Sequence, residues 1–116
     1  MKIEIRNLND RIDQSQREYI ERRLSFALGR FGSRIRRVMV RLEDTNGPRG
    51  GLDKRCHIEV RVPGRGVVVV DVRDVELEPA VSRAAERIAR RVRDGLTTQR
   101  VQRKRRASSG ARLPAA

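Results

Sequence analysis

Arg83, Arg87, Arg90 and Arg91 lie in the stretch LEPAVSRAAERIARRVRDGL, Leu77 to Leu96, at spacings that bring them to one side of a helix. Val81, Ala85, Ile88 and Val92 recur on the opposite side, with Ala84 and Leu96 widening the stripe, so that side is expected to be buried. Pro79 fits the first turn, and Gly95 is the expected stop. A solvated helix normally mixes signs at i and i+4, whereas here Glu86 and Asp94 stand only at the margins of the arginine side. The chemistry on offer is the binding of a polyanion, because a guanidinium fork matches phosphate oxygens two at a time. A surface kept soluble by arginine has the same composition, and this helix alone does not separate the two.

No catalytic constellation accompanies it. His57 is the one histidine, expected on the outward side of a strand, so neither a histidine-based metal cluster nor a nucleophile–base pair can be assembled. Cys56 precedes it, and adjacent strand residues point to opposite faces, which makes Cys56 a buried structural residue rather than half of a dyad. The pieces GPRGG and PGRG fit neither phosphate-loop pattern and are read as connections between strands. Glu43, Asp44, Asp53, Asp71 and Asp74 lack the spacing of a calcium loop. The expectation is a protein that binds by charge, without catalysis, metal, cofactor or small-molecule substrate.

The 116 residues suffice for one two-layer core and not for two domains. The formal net charge is +13, and of the 28 Lys and Arg only Lys2, Lys54 and Lys104 are lysine. Such an excess points to nucleic acid as partner. One cysteine cannot form an internal disulfide, and no signal-peptide pattern or run of about 18 apolar residues opens the chain. A cytoplasmic location is expected, with no membrane association.

Of the elements that must carry the arginines, the first, Lys2 to Arg6, alternates with Ile3 and Ile5 on one side, a half-buried strand. Ser15 and Glu18 form a capping box that opens a helix. Ile20, Leu24, Ala27, Leu28 and Phe31 make its apolar stripe, and Gly29 and Gly32 mark its end. Its other side gathers Tyr19, Arg22, Arg23, Phe26 and Arg30. Two aromatics among arginines could stack unpaired bases; the plainer expectation is that Tyr19 and Phe26 pack against the neighbouring helix or a flanking loop.

Ile35 to Asp44 returns to period two, and its separation from the first strand by a helix makes a parallel crossover the default. After a loop over Thr45 to Lys54, Arg55 to Val62 turns Cys56, Ile58, Val60 and Val62 inward. Pro63-Gly64-Arg65-Gly66 makes a hairpin to Val67–Arg73, whose outward side carries Val67 and Val69; either that strand is partly covered or the exposed sheet face meets something. The order β-α-β-β-β-α predicts an α+β fold, a two-layer sandwich with a four-stranded mixed sheet and two helices on one face. The expected domain is residues 1–96. Residues 97–116 are expected to form a basic disordered tail with a cationic run from Arg103 to Arg106.

REYIERRL from Arg17 to Leu24, followed by Phe31, Arg34-Ile35 and VMVRL from Val38 to Leu42, resembles the first half of the ribosome hibernation-promoting factor and ribosome-associated inhibitor A family. The second half agrees in HIEVRVPG from His57 to Gly64, a following strand, and a final helix with Ala80-Val81 and the segment Glu86 to Arg93. The resemblance spans roughly residues 1 to 94 and marks the chain as a divergent short member. It implies a domain shaped like a double-stranded-RNA-binding domain, seated on the small ribosomal subunit in the channel used by mRNA and tRNA. It also implies blocked translation under stress and basic residues on both helices gripping rRNA phosphates. By position, Arg23, Arg30, Arg87, Arg90 and Arg93 match basic family sites, to which the charge pattern adds Arg22, Arg83 and Arg91. Phe26 stands where the family has a basic residue, and the loop Gly47 to Cys56 is longer. The second domain through which longer members pair ribosomes is not expected here.

The leading reading is a non-catalytic factor on small-subunit rRNA, occluding the mRNA and tRNA channel in ribosome hibernation. The alternatives are a general RNA- or DNA-binding module on the same fold, and a protein-interaction domain using the exposed sheet with Val67, Val69 and Met39.

Overall fold

The structure, a computed structural model, describes residues 1–7, 12–44 and 54–108, with side chains described as far as residue 96. Period-two alternation becomes β1 (Lys2–Asn7), β2 (Arg37–Asp44), β3 (Lys54–Val62) and β4 (Gly66–Asp74). The helices are α1 (Gln14–Leu28) and α2 (Leu77–Ser108), and a 3₁₀ turn over Gly29–Arg34 leads from α1 towards β2. The strands lie in the order β1-β2-β3-β4 in one mixed sheet. β1 pairs parallel to β2, so the crossover does make them neighbours, and the later pairs are antiparallel.

Each strand turns alternate residues towards the helices. Val38, Val40, Leu42, Cys56, Ile58, Val60, Val62, Val70 and Val72 are buried there against Ile20, Leu24 and Leu28 of α1 and Val81, Ala84, Ala85, Ile88 and Val92 of α2. Full burial of each large aliphatic side chain contributes roughly 1.5–3 kcal/mol, which fixes the rotational setting of both helices and hence the direction in which their arginines point. α2 lies over β3 and β4, with α1 packed beside it. At the β3–β4 turn the chain passes through Gly64 and Gly66 at φ 83° and 91°, a backbone that side-chain-bearing residues rarely adopt, and Arg65 N–H donates to Val62 O at 2.9 Å.

Two helix boundaries differ from expectation. α1 is capped by Asp13 rather than by Ser15: Gln16 N–H donates to Asp13 Oδ1 at 2.7 Å, and Asp13 N–H donates to Gln16 Oε1 at 3.3 Å. The same spacing of an oxygen-bearing residue and Glu or Gln occurs twice, two residues apart, and the earlier pair wins because the helix gains a further half turn. At the other end Gly95 does not stop α2, which continues through Ser108. An interior glycine costs only about 1 kcal/mol relative to Ala, and the Gln-, Arg- and Lys-rich segment after it favours helix. The expected division between residues 96 and 97 thus falls within one helix, and residues 109–116 of the expected tail lie outside the described residues. The loop at 45–53 also lies outside them.

Candidate nucleic-acid interface

The two helices run side by side in parallel, and their register can be read from polar contacts. Tyr19 Oη donates to Glu78 O at 3.4 Å, Arg23 Nε to Ser82 Oγ at 3.3 Å, and Arg23 Nη2 to Glu86 Oε1 at 3.3 Å. The offset of 59 residues in the first two contacts sets Phe26 level with Ala85 and Arg30 level with Ala89. Arg23 is therefore partly spent on joining the helices, half-buried and ion-paired, with its guanidinium also 6.0 Å from the centre of the Phe26 ring.

The arginines of α2 divide in the same manner. Arg83 Nη1 donates to Asp74 Oδ2 at 3.0 Å, and Asp74 Oδ1 accepts from Val75 N–H at 2.6 Å and Glu76 N–H at 3.2 Å. The Glu76 N–H, with Arg83 and the Val75 N–H adding to it, holds the Asp74 carboxyl below the usual carboxylate range. Arg91 Nη1 reaches over the edge of the sheet and donates to Val69 O at 2.6 Å. Arg93 lies 3.3 Å from its neighbour Asp94, both exposed. Among the described residues Arg22, Arg87 and Arg90 make no ion pair, and Arg30 leans on Phe31 with its guanidinium 5.9 Å from the ring centre.

Arg83, Arg87 and Arg91 are spaced four apart, and like charges at that spacing destabilise a helix by about 0.2–0.5 kcal/mol per pair. Asp74 and the Val69 carbonyl relieve the outer two. Arg87, together with Arg90, has no such relief and faces water. Of the sequence-predicted residues, then, the structure brings Arg22, Arg30, Arg87 and Arg90 to an exposed helical surface without an ion pair among the described residues, and ties Arg23, Arg83, Arg91 and Arg93 to partners within the fold. Ser82 and the Val69 carbonyl were not singled out from sequence, and Glu86 and Asp74 were named there without being assigned to these arginines; Asp74, just ahead of the helix, is the one that spacing could have suggested.

The aromatics part company. Tyr19 is half-buried and bonded, as the packing expectation had it, whereas Phe26 is 84% exposed. On the uncovered sheet face Val67 and Val69 are exposed and Met39 is half-buried. There some of the charges are matched: Arg55 Nε donates to Asp71 Oδ2 at 2.7 Å and Nη1 to Glu43 Oε2 at 3.2 Å, and Arg37 pairs with Glu4. His57 lies between Asp71 Oδ2 and Glu59 Oε1, each 3.1 Å from a ring nitrogen. Cys56 is buried on the opposite face, where burial pushes its thiol up to about 12, so no dyad exists between them.

The family model for the Sigma 54 modulation protein / S30EA ribosomal protein matches residues 2–100. The chain belongs to that family. A crystal structure of the Thermus thermophilus Protein Y N-terminal domain is similar at 29% identity and a TM-score of 0.65, covering 79% of this chain and 96% of that one. A ribosomal subunit interface protein from Coxiella burnetii shares the fold at 16% identity and a TM-score of 0.67, covering 81% and 96%. No curated protein matches the chain. Family membership bears out both the resemblance and the expected α+β sandwich, and it places the chain among ribosome-associated factors. Among the described residues no helix is long and apolar enough to cross a membrane.

Proposed function

We propose that this protein is a non-catalytic, cytoplasmic factor that binds small-subunit rRNA through the outer faces of α1 and α2 and occludes the mRNA and tRNA channel, silencing the ribosome under stress. The observation that carries this reading is the pair Arg87 and Arg90, without an ion pair at the centre of α2 in a member of a ribosome-associated family. Arg22 on α1 and Arg30 in the 3₁₀ turn after it extend the same surface. Their guanidiniums would hold phosphates of folded rRNA, and the rigid spacing of two packed helices would select its shape, since the deep groove of an RNA duplex hides base identity from side chains. Nothing in that action requires a bond to be made or broken.

The salt dependence tests it. Four phosphate contacts, each releasing about 0.9 counterion, would cost about two orders of magnitude in affinity between roughly 50 and 200 mM salt. Small subunits should therefore retain the protein at low salt and release it steeply. Competition then separates a ribosomal factor from a general RNA- or DNA-binding module: ribosomal RNA should displace it from small subunits far better than bulk duplex or single-stranded RNA. Equal displacement by all three would overturn the ribosomal reading and leave the general one.

A further inference from the structure

The chain has two Phe, one Tyr and no Trp. Phe31 packs against the core and Tyr19 is held by the Glu78 carbonyl, so two of these rings have structural work. Phe26 has none: it is 84% exposed in the middle of the helical surface. The other exposed large hydrophobics, Met1, Val67, Val69 and Val75, belong to the sheet and its ends, so Phe26 is not part of an apolar patch of the kind a protein partner would cover. Its surroundings are cationic. Arg23, itself fixed by Ser82 and Glu86, places a guanidinium 6.0 Å from the ring centre on one side, and the exposure leaves the ring otherwise open to water. Arg22 on α1 and Arg30 in the 3₁₀ turn that follows lie one turn to either side of it, and the interhelical register sets it level with Ala85, little more than one turn ahead of Arg90 on α2.

An aromatic face among bare guanidiniums is complementary to a nucleotide whose base is free to leave its stack: the ring takes the base and the cations take the flanking phosphates. Bases inside a duplex hide their faces from such a platform. We infer that Phe26 is a stacking site for one unpaired nucleobase, with its neighbouring phosphates held by Arg22, Arg30 and Arg90. This rests on the RNA-binding reading above and adds to it the class of RNA element recognised, a bulge, loop or other unpaired nucleotide.

Because the chain lacks tryptophan, Phe26→Trp installs a single reporter at the site. Its fluorescence should be quenched by an oligoadenylate of about twelve nucleotides, within the usual single-strand site size, and not by an RNA duplex of equal length. Phe26→Ala should weaken binding of the oligoadenylate roughly tenfold and leave duplex binding, the salt slope and the unfolding temperature unchanged. Quenching by both probes, equal loss on both, or no loss on the single strand would overturn the stacking site. If small subunits are still bound with a steep salt dependence in any of those cases, the stacking site alone fails. If the unaltered protein binds neither probe nor small subunits, the RNA-binding reading fails with it.

Discussion

On the uncovered face of the sheet, strand pairing sets opposite charges beside one another. Glu43 stands across from Arg55, and His57 across from Asp71, while Glu4, in register with Met39, sits diagonal to Arg37. The result is a set of matched ions around Arg55, Asp71 and His57, with Arg6, Arg41, Arg61 and Arg73 spaced among the acids. On the helical face the chain places arginines at i, i+4 and i+7 from Arg83 with Glu86 alone among them, and Glu86 pairs with Arg23 of α1, so the repulsion within α2 is met where the sheet edge or the β4–α2 junction offers an acceptor. Both faces are rich in arginine; on the sheet, acids stand among the arginines and ion-pair Arg37 and Arg55, whereas Arg87 and Arg90 at the centre of the helical face have no ion pair among the described residues. Composition alone reports the sum; position decides which guanidiniums are available.

The strongest way to break that contrast is to reverse charge on each face in turn. Arg87→Glu with Arg90→Glu should lower affinity for small subunits by about a hundredfold or more at moderate salt, since two phosphate contacts are lost and two repulsions gained. Far-ultraviolet circular dichroism and the unfolding midpoint should stay close to those of the unaltered protein, because neither residue has a partner to lose. The charge-matched control, Arg41→Glu with Arg61→Glu on the sheet, should change affinity by no more than about threefold. Equal losses from the two pairs, measured by cosedimentation, would mean that net charge and not the helical surface governs binding.

A smaller effect is expected from Asp71→Asn, which tests the sheet face for internal satisfaction. Asp71 accepts from Arg55 and from His57, and the Arg55 hydrogen bond, with His57 adding to it, holds its carboxyl below the usual value of 3.8. A depressed carboxylate stabilises the fold above its unfolded value and loses that contribution as pH falls through its folded value. The unaltered protein should therefore lose stability below about pH 4, and the variant should lose less on the same descent. At neutral pH the substitution should cost about 1 kcal/mol in chemical denaturation, the upper end for a partly exposed ion cluster. Small-subunit affinity should stay the same; a marked change would bring the sheet into the interface.

Much of this architecture is visible in the alternation of the strands, because a period of two assigns every residue to a face before pairing is known. Cys56 and His57 are told apart that way, and so are Val38 and Met39. The helix ends were less legible: Asp13–Gln16 and Ser15–Glu18 satisfy the same capping pattern, and Gly95 reads as a stop although a glycine can be carried inside a helix. At Gly95 an added Cβ would come within 2.8 Å of the Arg65 guanidinium, a contact made from the β3–β4 turn that no local pattern announces. The site divided along the same line. Arginine spacing put Arg83, Arg87, Arg90 and Arg91 on the exposed side of α2, but which arginines of the two helices stay unpaired depended on Asp74, Val69 and Glu86, acceptors whose approach is set by tertiary packing.

The smallest expected effect belongs to Arg91, which lies on the helical face by position and serves the sheet edge by contact. Its bond to Val69 O covers one carbonyl of an edge strand that would otherwise face water, and water can replace it at little loss. Arg91→Ala should therefore lower unfolding free energy by about 0.5–1 kcal/mol and leave the salt slope of small-subunit binding unchanged. Arg87→Ala, one turn earlier on the same helix, should do the opposite: no loss of stability, with a slight gain as its like-charge pairs are relieved, and a slope reduced by about one. If Arg91→Ala flattened the slope as much as Arg87→Ala, the Val69 bond would have to yield to the ligand. The helical face would then extend to the sheet edge, and the boundary between the two regions would move from the middle of α2 to β4.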